Sequence, residues 1–259
     1  MAIESNVPHP HSYCERSYRS TAGFTGLSFT VQVEESDLWI NILQPGLKNA
    51  DLQSLAYERL LHYRTQLTAF LQRYPDWGTS LIPVAAADFP FAPVLVRQMM
   101  AAAYLAGVGP MAAVAGALAE AVGRDLSGDS IGVVVENGGD IFLAGRSEYL
   151  LAIFAGTSPL SGHLGIRIAD SLQFSCGVCT SSGRVGHSLS LGRADAVTIV
   201  AENAALADAV ATAMANRVQQ KSDLALVIEK ALAVDGVTGA VAIYEDGLAA
   251  GGQVELVEL

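Results

Sequence analysis

The run Ala204-Ala205-Leu206-Ala207-Asp208-Ala209-Val210-Ala211-Thr212-Ala213-Met214-Ala215 is small and apolar at nearly every position. A helix without a polar face cannot lie on a surface, so this one must be covered on most sides. The chain therefore has to build layers around it. Asp208 and Thr212 interrupt the run four residues apart, which places them on one face. A buried carboxylate is costly unless it is paired, hydrogen-bonded or bound to a cation. Two readings stay open. Either Asp208 is held by an Arg or by backbone N–H groups, or it joins Thr212 in holding a hard cation.

The segment just upstream bears on that choice. It reads Cys176-Gly177-Val178-Cys179-Thr180-Ser181-Ser182-Gly183-Arg184-Val185-Gly186-His187. Thr180 to Gly183 reads as a turn whose backbone N–H groups suit an anion, although Ser/Gly turns are common. His187 is a candidate for proton transfer or phosphate contact, and equally for a structural hydrogen bond. Placed before the Asp208 helix, the segment suggests a metal-assisted phosphate site. Cys176 and Cys179 are three apart. On a strand they face opposite sides, which suits neither a disulfide nor a shared metal, and no second pair completes a zinc site.

The order of elements limits the fold class. Phe24–Val33 alternates as a half-buried strand, and Leu38–Leu43 follows as its partner. Asn49 can cap a long helix that runs to about Tyr74, where Pro75 ends it. Pro83–Pro93 is a loop. Helices are expected over Val94–Ala106 and Pro110–Val122, with Gly107 as C-cap and Pro110 at the first helical position. Gly116 costs helix stability of about 1 kcal/mol relative to alanine, so it serves close packing against a neighbour or a ligand.

Strands are then expected at Ile131–Val135, Ile141–Ala144, Tyr149–Ala155, Leu164–Ile168, Leu172–Val178 and Ala194–Ala201. Glu136-Asn137-Gly138-Gly139-Asp140 is a hairpin turn, or one opened by two glycines so that a ligand can meet the backbone and Asn137 or Asp140. Asn203 caps a helix to about Gln219, and Asp223–Val234 forms another. Val237–Tyr244 and Gln253–Val257 close the chain as strands. Strands grouped in runs, not alternating singly with helices, read as α+β: antiparallel sheets covered by helices. The series of strand pair, helices, strand pair can be read twice.

Composition narrows the partners. A formal charge of -11 argues against nucleic acid and against an anionic membrane surface. Gln98–Ala119 carries no formal charge, but Gly107-Val108-Gly109-Pro110 breaks it, so it reads as two buried helices and not as a span. The first residues lack an apolar signal core, and three cysteines make no disulfide framework, so a cytoplasmic location is expected. The length of 259 residues suits one large domain or two small fused ones, and a single domain over 1–259 is the expectation. The small-residue helices are compatible with a homodimer.

Three blocks resemble the ApbE superfamily, the FAD:protein FMN transferases, and more closely a cytoplasmic branch of it. Gly109-Pro110-Met111-Ala112-Ala113-Val114-Ala115-Gly116 stands where that family has a glycine-rich helix. Asn137-Gly138-Gly139-Asp140 matches its Asn-x-Gly-Gly-Asp turn. Cys179-Thr180-Ser181-Ser182-Gly183, His187, Asp195–Ala201 and Ala207-Asp208-Ala209-Val210-Ala211-Thr212-Ala213 match its Thr-Ser-Gly, His, Val-Thr-Val and Ala-Asp-Ala-x-Ala-Thr-Ala blocks.

The resemblance implies a T-fold-like α+β architecture and an FAD site between sheet and helices. It implies Mg2+ on Asp208 and Thr212, with a carbonyl from the glycine-rich helix. It also implies a nucleotide held by Asn137, Gly138, Gly139, Asp140, Thr180, Ser181 and Gly183, and a catalytic role for His187. Family members transfer FMN to a threonine of an acceptor flavoprotein or hydrolyse FAD to FMN and AMP. A non-catalytic flavin or cofactor carrier on the same fold is the alternative. The chain departs from the pattern in three places. Ala113 stands in the neighbourhood of a family Lys, Ser188-Leu189 follows His187 in place of Asp-Pro-x-Thr-Gly, and the Thr-Ser-Gly block has an extra Ser.

Overall fold

A computed structural model describes residues 26–43, 49–127, 132–145, 148–168, 175–183 and 192–259. The strands are β1 (Leu27–Val33), β2 (Ser36–Ile42), β3 (Val133–Asn137), β4 (Asp140–Ala144), β5 (Tyr149–Ala152), β6 (Leu164–Ile168), β7 (Ser175–Ser181), β8 (Ala196–Ala201), β9 (Val237–Tyr244), β10 (Gly247–Gly252) and β11 (Glu255–Glu258). The helices are α1 (Asn49–Arg73), α2 (Pro75–Thr79), α3 (Val94–Ala106), α4 (Val114–Leu126), α5 (Ala204–Ala215) and α6 (Leu224–Leu232). Eight strands form one antiparallel sheet in the order β1-β2-β3-β4-β7-β8-β9-β10, and β11-β6-β5 form a second. The expected α+β class and its antiparallel sheets are what the chain adopts. The series hairpin, helices, hairpin runs once through β1 to β4 and again through β7 to β10, so the two halves share one element order.

Alternation along the strands separates two cores. Val133, Val135, Phe142, Cys179, Val197, Ile199, Ala240 and Ala242 face the helices. Val134, Leu143, Cys176, Val178, Ala196, Val200, Val241 and Ile243 face the three-stranded sheet. The large sheet is thus covered on both sides, which explains why its central strands are apolar at successive positions. α5 lies on β7 and β8, with α4 and α3 beside it, and nearly all its residues are buried. This is the covering that its composition demanded.

Several boundaries differ from expectation for identifiable reasons. α5 stops at Ala215 and not near Gln219. The N–H groups of Gln219 and Gln220 donate to Asp223 Oδ2 at 2.9 and 3.0 Å, which draws this stretch into the cap of the following 3-10 turn. Pro110–Ala113 is a 3-10 turn and α4 proper starts at Val114. Pro75 ends α1 and also opens α2, because its fixed φ suits the first helical position. β7 extends to Ser181, since it pairs with both β4 and β8; its expected start at Leu172 lies outside the described residues. β10, rich in Gly and Ala, has little strand propensity and exists through its pairing with β9. No single described helix is long and apolar enough to cross a membrane. Only Val94–Ala106 and Pro110–Leu126 together pass that test, and they meet at 104°.

Candidate functional site

The helix-facing side of the sheet carries one polar row. Asn137, Asp140 and Cys179 are directly paired across β3, β4 and β7. All three share the parity of Val135, Phe142 and the Cys179 side that meets the helices. Above this row α4 begins and α5 passes. Asn137 Nδ2 donates to the Ala115 carbonyl at 3.2 Å, which ties β3 to the first turn of α4. The Cys179 thiol donates to the Ala204 carbonyl, 3.4 Å away, and lies beside the Asp140 carboxylate.

Asp208 meets the same point from α5. Its Oδ2 accepts the Gly116 N–H at 2.9 Å, and the Ala115 N–H also supports the charged form. These are orphan donors of the first turn of α4, so Asp208 acts as a cap supplied by another helix. Burial outweighs those bonds and pushes the Asp208 carboxyl up to about 7. Of the two readings open from sequence, the backbone N–H groups are present here; neither Asp208 hydrogen bond involves an Arg. Thr212 lies one turn further along α5 and is half-buried.

Glycines make the approach possible. A Cβ on Gly116 would stand 2.2 Å from the Ala204 carbonyl oxygen, and one on Gly177 would stand 2.3 Å from the Ala204 Cα. Ala204 therefore sits in a slot walled by two glycines, one on α4 and one on β7. Close helix–helix packing explains Gly116.

The remaining expected residues fall as follows. Gly138 and Gly139 form the hairpin turn with φ of 73° and 103°, the positive values expected of that turn. The Gly139 N–H donates to Glu136 Oε1 at 2.7 Å. Thr180 and Ser181 belong to β7 and not to a turn, so they face opposite sides. Thr180 faces the second core, where its hydroxyl meets the Thr198 hydroxyl at 2.9 Å, and its N–H donates to the Gly139 carbonyl at 3.3 Å. Gly183 donates its N–H to the Ala194 carbonyl at 2.8 Å, and a Cβ there would stand 2.3 Å from the Gly192 carbonyl oxygen. The backbone donors of Gly139, Thr180 and Gly183 are thus engaged within the protein. Asp208, Asp140, Asn137 and the Gly138-Gly139 turn converge; the Thr180 side chain does not join them. His187 and Arg184 lie outside the described residues.

Cys176 and Cys179 face opposite cores, as their spacing required. Burial pushes the Cys176 thiol up to about 11. Burial also holds Cys179 well above its ordinary value, with the Asp140 and Asp208 carboxylates adding to the effect. Both are neutral thiols near neutral pH, unsuited to nucleophilic chemistry. Among the described residues no three His, Cys, Asp or Glu side chains group as a metal site. A cation here would draw on a mixed oxygen set of carboxylate, hydroxyl and carbonyl, and such a set fits a hard ion that keeps several waters.

One residue escaped the sequence reading. Glu120 of α4 is buried, and its Oε2 accepts the Ala204 N–H at 2.7 Å. Its signal was visible: it is the first charge after the uncharged run Gln98–Ala119.

A family model described as "AbpE bacteria" matches residues 19–242. The chain belongs to this family. Among the relatives of this ApbE-family protein are a UPF0280 protein of Methanocaldococcus jannaschii, 38% identical over 208 residues, covering 78% of this chain and 84% of that one. A UPF0280 protein of Methanopyrus kandleri is 40% identical over 190 residues, 73% of each chain. The fold is similar to that of the Vibrio cholerae flavin transferase ApbE, with a TM-score of 0.55, 13% identity, and coverage of 87% and 96%. It is also similar to the apo Pseudomonas stutzeri flavinyl transferase ApbE, with a TM-score of 0.52, 15% identity, and coverage of 88% and 94%.

Proposed function

We propose that this chain is a Mg2+-dependent flavin-nucleotide enzyme, working on the FAD pyrophosphate by FMN transfer to a protein threonine or by hydrolysis to FMN and AMP. The observation that carries the reading is Asp208, a buried carboxylate near neutrality on its own, one turn from Thr212 and set at the N-terminus of α4. Asp208 and Thr212 would hold the ion, with carbonyl oxygen from the first turn of α4. Bound there, Mg2+ would neutralise charge on the pyrophosphate. Family membership and the likeness in fold to flavin transferases support the substrate class.

The protein's own contribution is placement. The Ala115 and Gly116 N–H groups orient the carboxylate, Asn137 orients the Ala115 carbonyl, and the partial positive charge of the α4 N-terminus favours an anion beside it. The Gly138-Gly139 turn lets a ligand meet bare backbone next to Asp140. His187 would contact phosphate or move a proton. An acceptor flavoprotein, a single domain over the whole chain, a homodimer and a cytoplasmic location complete this reading.

A carrier that binds flavin without turning it over is the second reading. The engaged donors of Gly139, Thr180 and Gly183, and Ala113 in the neighbourhood of the family Lys, favour it. FAD titration by calorimetry with and without Mg2+, followed by chromatography for FMN and AMP, separates the two. Mg2+-dependent binding with product, lost in Asp208→Ala, is the expected result. Binding without product would install the carrier, and no binding would overturn both.

A further inference from the structure

α4 and α5 exchange carboxylates. Asp208 of α5 accepts the Gly116 N–H of α4, and Glu120 of α4 accepts the Ala204 N–H of α5. In each helix the donor precedes the carboxylate by four residues, so the two bonds lie one turn apart along an antiparallel helix pair. Ala204 opens α5 and Gly116 lies in the first turn of α4, so both N–H groups lack a partner in their own helix. Each carboxylate therefore ends the other helix. Between the bonds, the slot walled by Gly116 and Gly177 leaves Ala204 no room to shift.

Glu120 is itself fixed. Its Oε1 accepts Arg124 Nε at 2.8 Å, and the guanidinium stacks over Phe142 of β4, 5.5 Å from the ring centroid. Arg124 also approaches Ser175 Oγ of β7 at 3.5 Å. A line of contacts thus runs from the sheet through Arg124 and Glu120 to Ala204, and from there one turn along α5 to Asp208.

We propose that Glu120 is a positioning residue for the Asp208 site: by holding the first N–H of α5 it sets the distance of Asp208 from the first turn of α4, and hence the affinity of that carboxylate for a divalent cation. The geometric half stands on the two helix-to-helix bonds alone, and the cation half rests on the proposed role of Asp208.

The test compares Glu120→Gln, Glu120→Asp and Glu120→Ala in the full chain. Gln keeps an oxygen within reach of Ala204 but gives up the acceptor for Arg124, Asp keeps the charge but is a methylene too short, and Ala keeps neither. The first readout needs no metal: hydrogen exchange at the Gly116 amide against that at Val241 in the sheet core. Glu120→Gln, which keeps the Ala204 bond and loses the Arg124 one, is expected to stay within about threefold of the parent, while Glu120→Asp and Glu120→Ala speed Gly116 exchange relative to Val241 by about tenfold or more. If Ala does not fold, Asp carries the comparison. Unchanged Gly116 protection in Glu120→Asp overturns the proposal. So does equal acceleration at both amides, which would mean a merely global role. The second readout is the Mg2+ concentration dependence of thermal unfolding, expected to weaken about tenfold in Glu120→Asp and not in Glu120→Gln. If the parent itself shows no Mg2+ response, the cation role of Asp208 fails, and the exchange pattern still decides the positioning role.

Discussion

Replacing Gly116 with Ala tests the packing on which the site depends. The added Cβ would meet the Ala204 carbonyl oxygen at 2.2 Å, its carbon at 2.7 Å and the Asp208 Cβ at 2.9 Å. The first two are backbone atoms and cannot rotate aside, so α4 has to recede from α5. Alanine in a helix gains about 1 kcal/mol over glycine. Against this, overpacking costs about 1–3 kcal/mol, and above about pH 7, where Asp208 is ionised, the stretched hydrogen bond from Gly116 to its carboxylate costs about 1.5–3 kcal/mol. The net expectation is a loss of about 1.5–5 kcal/mol, or roughly 3–20 °C in Tm for a chain of this size. Thermal unfolding by circular dichroism measures it. Gly107→Ala is the control. It has no heavy atom within 4 Å of the added Cβ, and its φ of 73° limits the cost to about 1–2 kcal/mol of left-handed strain. A Gly116→Ala protein as stable as the parent would refute the reasoning, because helix propensity would then exceed the contact.

Two further outcomes are expected. The Asp208 carboxyl has a folded-state pKa raised to about 7 from 3.8, so the folded state holds its proton over a range where the unfolded state has lost it. The stability tied to this group is intact below the lower value and falls as pH rises to the upper one, by about 4 kcal/mol in the metal-free protein. Asp208→Asn should remove that slope, so denaturation midpoints of variant and parent diverge between about pH 4 and 7 and stay parallel above; parallel curves throughout would refute the burial argument. In the folded protein at pH 8, Cys176 and Cys179 should alkylate at least about 100-fold more slowly than an exposed thiol, read peptide by peptide in a mass spectrometer, and fast labelling of either would contradict their burial.

Much of this protein was legible before any coordinate. The apolar run around Asp208 demanded burial, and burial is what α5 has. The Asn137-Gly138-Gly139-Asp140 hairpin followed from the conformations glycine allows. The spacing of the two cysteines put them on opposite faces of a strand, and they occupy separate cores. These are local properties, set by the period of an element or the φ of one residue, and a sequence states them directly.

Tertiary structure decided what depends on relative placement. β10 exists because β9 offers an edge, despite its own weak propensity. Thr180 and Ser181 part to opposite faces because β7 is held in register by two neighbours. Above all, the sequence left Asp208 poised between a cation and an internal partner, and gave no sign that its nearest donors would be Ala115 and Gly116, or that Glu120 would answer from the other helix. Those bonds join residues 92 and 84 positions apart. They form only once two glycines let α4, α5 and β7 close on Ala204, a condition no periodicity encodes.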